Sequence, residues 1–460
     1  MHRLAYAMIW LYVFTIPWEN IITIPGIGTL SRYVGILAVG TALVYLVTAG
    51  KLVAHRVHLW GLGFVLLAAA SYFWSVDTTA TVERLFQYGL LFAFFWLMFV
   101  VVDSLAEFRR LLVGYVLGAY VACVNTFQNF FSGSEVVYQR YAAANFDPGD
   151  LAFALALAIP MAWYLALTKE NSRLVWVYRL YPVVALAVIL LTAARAGLLG
   201  VAVGLVFVVL TLPRASWQLK TLASVLATAA IVLVPLLVPA ESLSRLATLS
   251  DEISSGTLND RTNIWTAGRE IWSDNPFLGT GAGTFGSTLE NHPMFREWVA
   301  PHNIFISIST EMGMVGLVVL LAILAGVFLT ALQLPSLEAG GASPAGTSRG
   351  AGASGIVSAT LERGLWLTTL AILLLACSAQ NWEWRKQTWF ILGIVLTHHK
   401  VLWAAATAGL SGALTQPASA GPKSNDGRKL QTDRARSVRG KLRLEGRTGG
   451  VNGGAGDVIG

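Results

Sequence analysis

Histidine and arginine are the residues of this chain whose types and positions could do chemistry. His302 stands in Pro301-His302-Asn303, immediately before a long apolar run. A helix beginning there presents free N–H groups and a positive dipole end, a natural seat for phosphate. A neutral imidazole at that point can accept a proton near neutral pH. The plain alternative is an interfacial or capping histidine. Arg195 lies in so short a turn between two apolar runs that it is pinned at the membrane interface, and Arg261 follows Asn259-Asp260 at the start of a helical stretch. A guanidinium stays charged and grips phosphate oxygens with a planar fork, so this pair could hold a lipid diphosphate. Ordinary salt-bridging or headgroup contact is the alternative. Arg140, Arg269 and Arg296 are weaker candidates of the same kind.

Other patterns carry less. The stretch Gly279-Thr280-Gly281-Ala282-Gly283-Thr284-Phe285 lacks the preceding strand a nucleotide fingerprint needs, and reads as a tight turn or membrane-dipping loop. Asp147-Pro148-Gly149-Asp150 reads as a turn and helix cap, with orientation of a substrate hydroxyl as the second reading. The sequence has no HExxH, no paired cysteines, no acid cluster with metal-ligand spacing and no GxSxG. The two cysteines, Cys123 and Cys377, both sit in apolar runs, which argues against a disulfide framework. Acids are absent from the centres of the apolar runs, where a proton-coupled transporter would place them.

The elements that position these residues are membrane helices. Of 460 residues, 55% are hydrophobic and 12% charged, about half the charge of a soluble domain. Apolar runs near 20 residues long suit helices crossing a roughly 30 Å hydrocarbon core. About twelve spans are expected, at 4–22, 32–49, 58–75, 85–102, 111–128, 150–168, 175–193, 196–212, 218–238, 302–333, 362–379 and 387–406. The first reads as a retained helix, because no small-residue cleavage site follows it. Lys51, Arg56, Arg109, Arg110, Lys169, Arg173, Arg214, Lys220, Arg349 and Arg363 load one set of loops. That excess predicts both termini in the cytoplasm, and it puts His2, His55, His58, His398 and His399 at or beyond the cytoplasmic face. His292 and His302 face the other way.

The organisation expected is thus nine spans over 1–238, an extracytoplasmic loop at 239–301, three spans over 302–406 and a tail at 407–460. The loop keeps Trp265, Trp272, Phe277, Phe285 and Trp298 among its charges, so it can fold, with helices near 241–250 and 261–273. The Pro/Gly/Ala/Ser stretch 334–361 is a flexible linker. Lys423 to Arg447 holds nine Lys/Arg against three acids and supplies most of the net +7. This tail is expected to be disordered and to lie near anionic lipid rather than nucleic acid. No internal repeat is visible, which disfavours an inverted-repeat transporter.

His302-Asn303, nine residues, Gly313, two residues, Gly316 resembles the His-Asn motif of the O-antigen ligase and O-antigen polymerase superfamily. Arg261-Thr262-Asn263-Ile264-Trp265, followed by Asn275-Pro276-Phe277-Leu278-Gly279-Thr280-Gly281, is similar to its periplasmic loop, and Arg195 to its arginine at a helix-to-helix turn. Two positions depart from the pattern: Leu317, where Gly, Thr or Tyr is usual, and Gly149, where Asp-Pro-Asn is usual. The resemblance implies an all-α polytopic membrane protein of GT-C-like architecture in the bacterial inner membrane. It implies a ligase that moves a glycan from undecaprenyl diphosphate to a lipid A–core sugar with inversion, using no metal or other cofactor. His302, Arg195 and Arg261 would be catalytic, and Arg140, Asn303, Arg269 and Arg296 would bind substrate. A polymerase joining two lipid-linked glycans is the nearer alternative, and a lipid-linked sugar transporter the alternative from another class.

Overall fold

A computed structural model describes residues 1–26, 28–136, 140–168, 173–215, 217, 218, 220, 221, 223, 224, 260–335 and 351–415. Its helices are α1 (His2–Thr15), α2 (Leu30–Ala49), α3 (Arg56–Ala70), α4 (Thr78–Val101), α5 (Leu105–Phe131), α6 (Pro148–Thr168), α7 (Val175–Leu191), α8 (Arg195–Thr211), α9 (Arg261–Asp274), α10 (Phe285–Glu290), α11 (Ile304–Leu332), α12 (Ala351–Ala379) and α13 (Lys386–Thr415). Most of the expected span 218–238, the loop helix near 241–250, linker residues 336–350 and the tail from 416 lie outside the described residues. The chain divides after Leu410. The first unit runs from Met1 to Leu410, and only 411–415, the end of α13, is described of the second.

Among the described residues, nine helical segments are long and apolar enough to cross a bilayer, and α7 is a shorter apolar helix. The chain is an all-α polytopic membrane protein. The expected span 4–22 is corrected. Pro17 cannot donate a backbone hydrogen bond, and α1 gives way to a 3-10 turn at Ile16–Trp18. The chain then forms a small hairpin, Thr23–Ile24 against Gly28–Thr29. His398 is fully buried, stacked on Phe108 at 3.9 Å and receiving the Trp366 indole N–H at 2.7 Å.

At the centre lies α6, buried on all sides. Its alanines let α8 approach closely: Gly197 faces Ala152, Gly200 faces Ala156 and Gly204 faces Ile159, with no room for a Cβ at Gly197. Helices in a bilayer associate through such small-residue stripes because lipid offers no hydrophobic drive between them. Large apolar side chains such as Leu37, Val47, Leu59, Leu66, Leu210 and Val318 remain exposed on the outside of the bundle, as lipid contact requires.

The expected span 302–333 is not one continuous helix. Gly313 breaks α11 with φ 65° and ψ −165°. Backbone groups freed by the break need other partners. The glycine-rich loop supplies them: Thr280 N–H donates to the Thr310 carbonyl at 3.0 Å and Gly281 N–H to the Glu311 carbonyl at 2.8 Å. In return, Met314 N–H donates to the Pro276 carbonyl at 2.8 Å and Val315 N–H to that of Phe277 at 3.3 Å. A Cβ on Gly313 would overlap the Phe277 carbonyl, so glycine is required there for close approach as well as for its dihedrals. The glycines that could have suggested a nucleotide site instead dock this loop onto α11.

Candidate active site

Residues 260–301 fold on a small core of their own. Ile264, Ala267, Phe285 and Leu289 are buried together, with Trp265, Ile271, Phe295, Val299 and Ile306 against them. Gly268 of α9 allows close packing on Ile306 of α11, and the Thr310 hydroxyl donates to the Gly268 carbonyl at 3.1 Å. The indole N–H of Trp265 donates to the Pro301 carbonyl at 2.9 Å. Thus α9, which Arg261 opens, is tied directly to the turn that carries His302.

His302 occupies a left-handed backbone conformation, φ 49°, where a non-glycine residue is strained. The next residue, Asn303, caps α11: its side-chain oxygen accepts from Phe305 N–H at 2.9 Å and Ile306 N–H at 3.2 Å. The Asn303 amide also donates to the Ser378 carbonyl at 3.2 Å. Asn303 therefore fixes the turn that carries His302.

Nδ1 of His302 lies 3.2 Å from Oε1 of Gln380, and Nε2 of Gln380 donates to Oδ1 of Asp147 at 3.4 Å. A carboxylate only accepts, so Asp147 orients the amide with its nitrogen toward itself and its oxygen toward the imidazole. That oxygen in turn requires a proton on Nδ1. The lone pair is then left on Nε2, the atom available to a substrate. Burial first, then the Arg261 guanidinium, holds the imidazole below its usual range, against the opposing pull of Gln380 and Asp147. His302 is therefore a neutral, oriented acceptor at neutral pH.

Asp147 is the helix cap its turn suggested. The same oxygen caps α6 by accepting from Gly149 N–H at 2.8 Å and Asp150 N–H at 3.1 Å. Asp150 accepts from the Trp382 indole at 2.9 Å and pairs with Arg385. These contacts clamp the α12–α13 turn onto α6.

The charges bearing on His302 are Arg261 and Asp147, so the structure brings Arg261 and the imidazole together electrostatically. Arg195 opens α8, set there by a turn with Ala193 at φ 48°, and α8 lies against the first turns of α6 through Gly197 and Ala152. Arg140 donates through Nε to the Thr192 carbonyl at 2.9 Å, while Tyr141 N–H donates to that of Leu191 at 3.0 Å. Arg140 thereby braces the turn leading to Arg195. Arg269 is exposed and lines a separate cleft of about 400 Å³ with Trp265, Trp272 and Leu317. Arg296 is exposed with φ 56°, beyond α10. Arg195, Arg269 and Arg296 are not among the charges that shift the His302 imidazole.

Sequence reasoning missed Gln380 and gave no role to Arg385 or Lys386. The signal was present: Gln380-Asn381-Trp382-Glu383-Trp384-Arg385-Lys386 packs polar and aromatic groups into one turn between two spans. Acid also occurs within a span. Glu311 of α11 is buried and accepts from Gly283 N–H at 2.7 Å and Phe285 N–H at 3.3 Å, so it holds the glycine loop.

No curated protein matches the chain. Residues 180–321 match the family model described as O-antigen ligase, a stretch that runs from within α7 into α11 and includes Arg195, Arg261, His302, Gly313 and Gly316. That family implies a glycosyl-transferring membrane enzyme. Over residues 180–321, which hold the imidazole and both principal guanidiniums, this membrane protein is similar to the O-antigen ligase family.

Proposed function

We propose that the protein is an O-antigen ligase of the bacterial inner membrane, transferring a glycan from undecaprenyl diphosphate to a lipid A–core sugar at a periplasmic site. Both termini are then cytoplasmic, in keeping with the Lys/Arg loading of the loops. The observation that carries this reading is the Asp147–Gln380–His302 chain, which leaves Nε2 as a neutral proton acceptor beside Arg261.

In the reaction, the acceptor hydroxyl gives its proton to Nε2 of His302 while its oxygen attacks the anomeric carbon. A new glycosidic C–O bond forms, the bond to the diphosphate oxygen breaks, and undecaprenyl diphosphate leaves. Attack opposite the leaving group inverts the anomeric configuration. Arg261 and Arg195 hold the diphosphate and stabilise the charge that develops on it. Bound diphosphate also offsets the repulsion between Arg261 and an imidazolium, so the base strengthens as the donor arrives.

The test is glycan transfer by purified protein supplied with lipid-linked donor and lipid A–core. His302→Ala should lower transfer by roughly 100-fold or more while donor still binds. Transfer at the wild-type rate would remove the proposed base. Elongation of donor without core acceptor would instead identify a polymerase.

A further inference from the structure

A second cavity, of about 610 Å³, lies away from His302. It is bounded by the end of α1, the start of α2, one face of α4 and the turn Trp384–Lys386. Along α4 its lining runs from Glu83 through Phe86 and Gln87 to Leu90 and Leu91, roughly 12 Å of helix. Polar groups therefore meet at one end, near the helix termini, and apolar groups continue toward the middle of the bundle. That polarity is the polarity of a membrane lipid.

The charges at the polar end are only partly used within the protein. Lys386 pairs with Glu19 at 2.7 Å, and Arg385 pairs with Asp150. Arg32 makes no ion pair among the described residues; its guanidinium lies 5.5 Å from the Phe86 ring centroid. Nε of Arg385 is buried without a hydrogen-bond partner, and so is the hydroxyl of Tyr12, a fully buried residue that also lines the cavity. Those two atoms are closed off from the cavity, so a ligand with acceptor oxygens would meet the exposed guanidinium of Arg32 and the part-exposed ends of Arg385 and Lys386. Glu83, exposed and likewise in no ion pair among the described residues, can accept from an ammonium or hydroxyl beside those oxygens.

We infer that this cavity binds the phosphate-bearing headgroup of a membrane lipid, with Arg32 and Arg385 on the phosphate and one alkyl chain along Phe86, Leu90 and Leu91. The shared chemistry is a phosphate ester on an alkyl-bearing amphiphile that also carries an ammonium or hydroxyl for Glu83. A bilayer phospholipid and a phosphorylated glycolipid both meet it. The site is joined to the candidate active site through one short turn, since Gln380 contacts His302 and Arg385 and Lys386 line the cavity. Its occupancy does not depend on the transfer reaction.

The test is lipid titration of the full chain in detergent, read by native mass spectrometry, with phosphatidylethanolamine, lipid A and uncharged diacylglycerol as probes. The expected result is retention of a phosphate-bearing probe about tenfold tighter than diacylglycerol. Arg32→Gln should weaken it by about tenfold, and Leu90→Trp, which fills the apolar end, should do likewise. His302→Ala should leave retention unchanged, separating this site from the transfer chemistry. Preference for phosphatidylethanolamine assigns the site to bulk phospholipid, and preference for lipid A to a phosphorylated glycolipid; either supports the inference. Equal retention of diacylglycerol, or unchanged retention in both cavity variants, would overturn it.

Discussion

A Cβ on Gly149 would overlap the side-chain nitrogen of Gln380. The first turn of α6 and the end of α12 therefore share a space only glycine leaves open, and through it Gln380 reaches both Asp147 and His302. Gly149→Ala should push Gln380 off the imidazole without harming the helix, because alanine is the better helix former. Turnover should fall by roughly 10- to 100-fold, the cost of misplacing a reacting group by about an ångström. Steady-state kinetics beside a melting curve would check it; full turnover in a folded variant would mean that Gln380 does not orient His302.

Asp147→Asn tests the tautomer. Asparagine still caps a helix well, so α6 should persist. Its amide, however, can donate as well as accept, and Gln380 is then free to present its nitrogen to His302. Nδ1 would become the acceptor and the proton would move to Nε2, where the base is needed. Transfer should drop by roughly 100-fold or more, close to the His302→Ala level, with donor affinity retained. The tautomer can be read from imidazole nitrogen chemical shifts, and a proton found on Nδ1 in the variant would refute the relay.

Arg261 sets a pH dependence whose sign is fixed. A nearby positive charge disfavours the imidazolium, so Arg261 adds to burial in keeping the pKa of His302 below its ordinary 6.5. His302 is active as a base when neutral, above its pKa. Arg261→Ala should raise that pKa and move the acidic limb of the kcat/KM profile to higher pH, besides weakening donor use. Arg261→Lys keeps the charge and should leave the limb in place while losing the planar grip on diphosphate. Identical acidic limbs for the alanine variant and the wild type would show that the guanidinium does not act on the imidazole.

How much of this was legible in the sequence depended on the range of the interaction. Apolar runs near the length of a bilayer and the Pro301-His302-Asn303 start of α11 are local patterns, and they were readable. The termination of α1 at Pro17 was equally local but was masked by the apolar run around it. The break at Gly313 was hidden because a 29-residue apolar helix reads as continuous until one knows that Pro276 and Phe277 supply the missing acceptors. Gln380 could not be assigned because its partners lie 78 and 233 positions away. Arginine positions were visible and their destinations were not: Arg140 braces a backbone turn and Arg269 faces an aromatic cleft, yet in sequence both look like Arg261.

Glu383 carries a second pH dependence, one of stability. Its side chain is almost fully buried, 3.1 Å from the Ser307 hydroxyl and 3.6 Å from Arg84. Burial, reinforced by the charge of Glu311 and only partly offset by Arg84, pushes its carboxyl from 4.5 up to about 7. One guanidinium thus faces two buried acids. A carboxyl whose pKa rises on folding contributes stability that is full below its unfolded value, and that stability is lost as pH rises through the folded value. The apparent melting temperature in detergent should therefore fall as pH rises from about 4.5 to about 7, most steeply midway between those values, and level off above them. Glu383→Gln keeps the shape and the acceptor for Ser307 but cannot ionise, and Glu311 remains to balance Arg84. The variant should melt at or above the wild-type temperature at pH 8 and show a shallower fall across the range. Parallel melting profiles for the two proteins would mean that Glu383 does not change charge in this window, and the account of one arginine shared between two acids would fail.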